Sequence, residues 1–169
     1  QGMAAICTHT PLYKASGGVI STLFDLLRPA LVLEASGQPL EDGFGMAVNS
    51  LRSWNAGELA ETLKHCLDCT LVRYSPGSRP IQRIGFACGS GCSMLEEAIE
   101  AGCDAFITGD VKHDRWYLAQ AAGIALFDCG HYQLEVPVMR RLEEAMRRAF
   151  PALPVYYGEA NRDPVQYQF

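Results

Sequence analysis

Apolar positions along the chain recur with two different spacings, and the change from one to the other yields most of the predicted elements. Val19, Ile20, Leu23, Phe24, Leu26 and Leu27 recur at helical spacing and predict an amphipathic helix over 19–27, ended by Pro29. Residues 4–9, Ala-Ala-Ile-Cys-Thr-His, read as a short buried strand, followed by a turn carrying Pro11 and Gly17-Gly18. Residues 30–33 read as a second short strand. Residues 36–50, rich in Gly, Pro and polar side chains, read as a loop containing Gly43-Phe44-Gly45. Asn55 or Ser53 is placed to cap a helix over 56–67. Residues 71–74 are strand-like, and Ser75-Pro76-Gly77-Ser78 is a turn.

Beyond residue 80 the pattern becomes regular. Strands over 81–87, 105–108 and 124–128 each run into a glycine-containing turn and then a helix. The first of these helices runs from Ser93, its expected cap, to Glu100, with Glu96 and Glu97 in the first turn. The second covers 114–122 and stops at Gly123. The third covers 134–150, with Val138, Leu142, Ala145, Met146 and Ala149 on one apolar face. A last strand is expected over 155–157. Three successive strand–turn–helix units imply parallel strands joined by right-handed crossovers, so the fold class is α/β with a parallel or mixed sheet. In such sheets ligands bind beyond the carboxyl ends of the strands. The loops there, 89–93, 109–114 and 129–135, collect Ser90, Ser93, Asp110, His113, Asp114, Asp128, His131 and Glu135.

Composition narrows the function classes. The 169 residues suit one domain of ordinary size, or two small lobes sharing a core, here divided near 3–76 and 77–169. Gln1 and Gly2, ahead of Met3, read as a tag remnant. With 49% hydrophobic and 20% charged residues the composition is globular, not disordered. A net charge of −5 argues against a general nucleic-acid-binding surface. No apolar run reaches the roughly 18 residues of a membrane span. Seven cysteines, an odd number read with no secretory signal, favour reduced thiols and a cytoplasmic setting. Cys66-x-x-Cys69 has the spacing of a zinc or redox pair, but it has no matching second pair and lies in a helical pattern, so it is read as structural.

His131 and Glu135 are the pair with the clearest chemistry. Four residues apart at the start of a helix, an imidazole and a carboxylate share one face and can ligate one divalent metal. Asp128, just upstream, is placed to orient the imidazole. The turn Cys88-Gly89-Ser90-Gly91-Cys92-Ser93 follows a strand and opens a helix, so Gly89, Ser90, Gly91 and Ser93 form a candidate anion cradle. It has no phosphate-loop lysine, and the same turn also serves simply to pack strand on helix. Asp110 is a candidate for orienting a ligand or water, or it caps the next helix as Asp114 can. His113 beside it is a candidate acid or base. His9 either packs at the end of the first strand or faces the same cleft, and His65 is expected on the surface.

Several motifs together resemble the dinuclear-metal NGG-one-interacting-factor-three-like family, whose members are often called GTP cyclohydrolase I type 2 homologues. The resemblance runs through His9-Thr10-Pro11-Leu12, Gly17-Gly18-Val19, Gly43-Phe44-Gly45, residues 83–91, residues 105–113, Asp128-Cys129-Gly130-His131, Glu135 and Arg162-Asp163-Pro164. It implies a two-lobed α/β fold, a toroidal homo-hexamer, and two divalent metals (Zn, Fe or Mn) in a cleft. It implies His131 and Glu135 as ligands, with His9 a possible addition. Tyr13 stands where the family carries a ligand aspartate, and Asp114 where a histidine is common. The early Thr-His-His-Pro ligand pair lies upstream of the segment matching His9, so the chain reads as the later two-thirds of a member. Two functions follow as expectations. One is a metal-dependent hydrolase-like protein acting on a small, possibly nucleotide-like substrate, with Asp110 or His113 as general acid or base. The other is a degenerate, non-catalytic member serving in oligomeric scaffolding, partner binding or regulation. A third, weaker expectation is a metal-free nucleotide-binding module that uses the 89–91 turn.

Overall fold

The computed structural model describes residues 2–168, so Gln1 of the expected tag remnant lies outside the described residues. After an irregular start come α1 (Thr10–Lys14), α2 (Val19–Leu31), β1 (Gln38–Leu40), a 3-10 turn (Glu41–Gly43) and β2 (Gly45–Trp54). Then follow α3 (Ala56–Cys66), β3 (Arg73–Ser75), β4 (Ile81–Ala87), and a second 3-10 turn (Gly91–Met94) that runs into α4 (Leu95–Glu100). The chain continues through β5 (Ala105–Thr108), α5 (His113–Ala122), β6 (Ala125–Asp128), α6 (His131–Glu135) and α7 (Pro137–Ala149). The strands form one mixed six-stranded sheet in the order β1-β2-β4-β5-β6-β3. β4, β5 and β6 are parallel, as the strand–turn–helix pattern requires, while β1, β2 and β3 pair antiparallel.

Strand alternation splits the core between the two faces of the sheet. Ala105, Ile107, Ala125 and Phe127 join Leu23, Leu27, Leu59 and Leu63 of α2 and α3 on one face. Phe106 and Leu126 join Leu95, Ala98 and Ala119 of α4 and α5 on the other. At about 0.8 kcal/mol per buried CH₂, these fully covered side chains supply the main drive to fold.

The structure departs from the sequence reading in the first half of the chain. Residues 4–9 take no regular structure, and the expected turn after them contains α1, where Pro11 sits in the first turn and loses no helical bond. α2 does not stop at Pro29. It continues to Leu31, which is fully buried, and closes when the amide of left-handed Val32 bonds to the Arg28 carbonyl. The strand expected over 30–33 is reduced to one bridge between Leu33 and Ser50. The expected loop over 36–50 holds β1 and most of β2. β2 lies between β1 and β4, so both its edges are paired, and its burial does not alternate: Ala47, Val48 and Ser50 are covered while residues 51–53 are exposed. Its polar Ser50 is buried with partners: the hydroxyl donates to the Leu31 carbonyl at 2.8 Å and accepts from the Trp54 indole N–H at 3.0 Å.

Elsewhere the differences are local. Asn55 does cap α3: its side chain accepts from the Glu58 amide at 2.9 Å, completing a capping box. Ser93 caps nothing, because the 3-10 turn precedes α4. The single helix expected over 134–150 is two, with Pro137 opening α7. Residues 155–157 form no strand.

Candidate functional site

The turns after β5 and β6 lie side by side because those strands are parallel neighbours, and α6 starts directly beyond them. Asp128, the last residue of β6, fastens both turns. One carboxylate oxygen accepts the Gly130 amide at 3.1 Å, and the other accepts the Val111 amide at 3.1 Å and bonds to the Arg73 guanidinium. Gly109 allows the close approach, since a Cβ there would lie 2.8 Å from the Gly130 carbonyl carbon and the His131 nitrogen. The sequence reading expected Asp128 to orient the imidazole; instead it positions the loops.

That role falls to Asp110. Its Oδ2 lies 2.7 Å from His131 Nδ1, and Asp110 itself holds a left-handed backbone (φ 52°). An ionised carboxylate only accepts, so Nδ1 carries the proton. Nε2 then faces Glu135 Oε1 at 3.2 Å, the helical spacing having set both side chains on one side of α6. Gly89 (φ 56°) passes beneath them: a Cβ there would lie 2.4 Å from Glu135 Oε1 and 3.0 Å from His131 Nε2. The Tyr13 hydroxyl, brought in by α1, donates to the same Glu135 oxygen. The His9 ring lies 5.0 Å from that of Tyr13.

Charge and burial tune these groups. Partial burial opposes a charged His131, but the hydrogen bond to Asp110 and the charges of Glu135 and Asp110 outweigh it and raise the imidazole above its ordinary value. Burial, then the hydrogen bond to Glu135, push the Tyr13 phenol far up. Burial and the Glu135 charge do the same to the Cys88 thiol.

Two cavities meet at this cluster. The larger, about 770 Å³, reaches from His9, Tyr13, His131 and Glu135 to Arg73 and the tail residue Asp163. The smaller, about 240 Å³, is lined by Ser90, Gly91 and Ser93 together with His9, His131 and Glu135. So the structure brings His9, Asp110, His131 and Glu135 together, with part of the 89–93 turn beside them. One amide of that turn is already committed, Gly91 N–H to Thr108 Oγ1 at 3.0 Å. His113 is not brought in: it is exposed at the start of α5, edge-on to Tyr117 at 5.2 Å, and lines neither cavity. Asp114 is exposed and pairs with Arg115 at 3.4 Å. Cys66 and Cys69 are free thiols, and Cys69 donates to the Cys129 carbonyl at 3.2 Å.

Sequence reasoning missed the tail's part in the site. Tyr132 donates its hydroxyl to the Asn161 carbonyl at 2.9 Å, and Gln133 donates to Asp163 Oδ2 at 2.8 Å. The signal was Arg162-Asp163-Pro164, which stood out as a motif but had no assigned contact. As a metal site the cluster is half a set. His131 Nε2 and Glu135 Oε1 converge, but among the described residues no group of three His, Cys, Asp or Glu side chains is arranged to hold an ion. No helix among the described residues is long and apolar enough to cross a membrane.

The sequence model of the Duf34/NIF3 (NGG1p interacting factor 3) family matches residues 1–164. A protein of Archaeoglobus fulgidus named GTP cyclohydrolase 1 type 2 homolog is 32% identical over 103 residues, 61% of this chain and 40% of that protein. One of the same name from Clostridium perfringens is 24% identical over 163 residues, 94% of this chain and 62% of that protein. This chain thus spans roughly two-fifths to three-fifths of the length of these two relatives. The crystal structure of Staphylococcus aureus protein SA1388 superposes with a TM-score of 0.79 at 21% identity, covering 96% of this chain and 69% of that one.

Proposed function

We propose, since the chain belongs to the Duf34/NIF3 family, that it is a metal-binding, hydrolase-like protein whose cleft beyond β5 and β6 acts on a small substrate. The observation that carries this reading is the alignment Asp110–His131–Glu135. Asp110 fixes the tautomer, so the remaining ring nitrogen turns to Glu135. Their donor atoms lie 3.2 Å apart, close to the roughly 3 Å that separates neighbouring ligands around one cation. Carboxylate behind histidine is the usual support of a ligating imidazole. A divalent ion held there (Zn, Fe or Mn) would polarise a substrate oxygen or lower the pKa of a bound water. Asp110 keeps the imidazole in place, and the Tyr13 hydroxyl, which keeps its own proton, donates to the Glu135 oxygen it touches. Further donors would come from His9, the substrate or a neighbouring subunit. A homo-oligomer, hexameric by resemblance, and a cytoplasmic setting belong to the same proposal.

Elemental analysis of protein purified without added metal tests it. Stoichiometric Zn, Fe or Mn in the wild type and its loss in His131→Ala support the reading. Equal content in both removes His131 from the ligands. A second reading, a degenerate non-catalytic member, is favoured by one observation: a neutral Tyr13 hydroxyl occupies Glu135 where the family resemblance calls for a carboxylate. Metal-free wild-type protein would favour that reading.

A further inference from the structure

The tail after α7 is fastened in two places. Near α7, Arg147 donates to the Val155 carbonyl at 2.9 Å, and the Arg140 guanidinium lies 3.7 Å from the centre of the Tyr157 ring. A turn follows, in which the Asn161 amide donates to the Gly158 carbonyl at 3.0 Å. The chain then crosses to α6, where the Tyr132 hydroxyl donates to the Asn161 carbonyl and the Gln133 side-chain amide to Asp163. Tyr132 and Gln133 stand between His131 and Glu135 in that helix. Beyond the turn, Asn161, Asp163, Pro164, Val165 and Tyr167 form part of the wall of the larger cavity. Among residues 158–168, however, Asp163 is half-buried and the others are exposed. A segment that buries so little opens at far smaller cost than the fold as a whole. Val19 and Val138, by contrast, line the same cavity from within the core. One wall is thus free to move against walls that are fixed.

We propose that residues 158–168 are a strap that closes the larger cavity, hinged at the Gly158 turn and latched by Tyr132 and Gln133, and that small molecules enter and leave as the latch opens. Hinges of this kind are a few loop residues that take up the change in backbone angles. The strap acts on the cavity with or without a metal, so it goes beyond the metal reading and does not depend on it.

Two variants of the full chain test it, in EDTA, with N-phenyl-1-naphthylamine, a neutral dye that fluoresces in apolar surroundings, as the probe. Tyr132→Phe removes one latch and should speed amide hydrogen exchange of residues 161–168 about fivefold, the factor that one neutral hydrogen bond contributes. Gly158→Ala acts at the hinge, and Gly158 lines neither cavity at the site. Its φ lies outside the left-handed region and nothing lies within 4 Å of an added Cβ, so alanine fits. It should slow the same exchange roughly threefold by restricting the open state. Dye release, followed by stopped-flow fluorescence, should change by the same factors in the same directions, while exchange in β5 stays as in wild type. Strap exchange indifferent to both variants, dye release that does not follow it, a change that extends to β5, or no dye binding overturns the proposal.

Discussion

The Tyr13 hydroxyl donates to the Glu135 carboxylate across 122 residues of sequence, tying the first helix to the sixth at the centre of the site. In the proposed metal site this contact would weaken the hold on a cation, because the phenol uses an oxygen that a metal would otherwise claim and brings no negative charge of its own. Restoring a carboxylate in Tyr13→Asp should raise Zn affinity by at least about tenfold, since each added charged ligand strengthens a site of this kind. Competition against a chelating dye measures it, and an unchanged affinity would show that position 13 does not address the ion.

Asp110 should control the protonation of His131. With its imidazole raised above the ordinary value, His131 stabilises the fold below about pH 6.5, the unfolded value, and that contribution is lost as pH rises through the folded value. Replacing Asp110 by Asn removes one charge and weakens the bond to Nδ1, so the titration midpoint should fall. The ring proton resonances followed by NMR between pH 5 and 9 report it (roughly the window in which histidine titrates). A midpoint unmoved in Asp110→Asn would separate the two residues.

Gly89 is required twice over, by its positive φ and by the two side chains above it. Gly89→Ala should lose roughly 1–3 kcal/mol from backbone strain and also push Glu135 from His131. Thermal unfolding reads the first effect, and the His131 titration midpoint by NMR, lowered as the Glu135 charge moves away, reads the second. A variant as stable as wild type would mean that the loop relaxes freely.

Ser50→Ala removes a buried hydroxyl that serves the Leu31 carbonyl and the Trp54 indole at once. Leaving that N–H and carbonyl unanswered should cost about 1–3 kcal/mol. Urea unfolding with an unchanged slope and a lower midpoint is the expected record.

The parallel half of the sheet was legible because each strand there is a short apolar run closed by glycine and followed by a helical period. The site was legible for the same reason, since parallel neighbours place successive loops together. β2 was not, because its order comes from Leu31, Arg83 and the strands on either side, which no local window contains. Asp110 was read as a candidate acid or base and proved to be the support of His131. The role expected of Asp128 went to it because Asp128 is consumed by two backbone amides. Gln133 escaped notice because its partner Asp163 lies 30 residues away and meets it only once the chain is folded.

Asp128 also sets how damage spreads through this region. One carboxyl group holds the segments that begin at Val111, Gly130 and Arg73, so three stretches distant in sequence share a single anchor. An alteration at any of them reaches the other two without passing through the hydrophobic interior, and the turns after β5 and β6 must tighten or slacken as one.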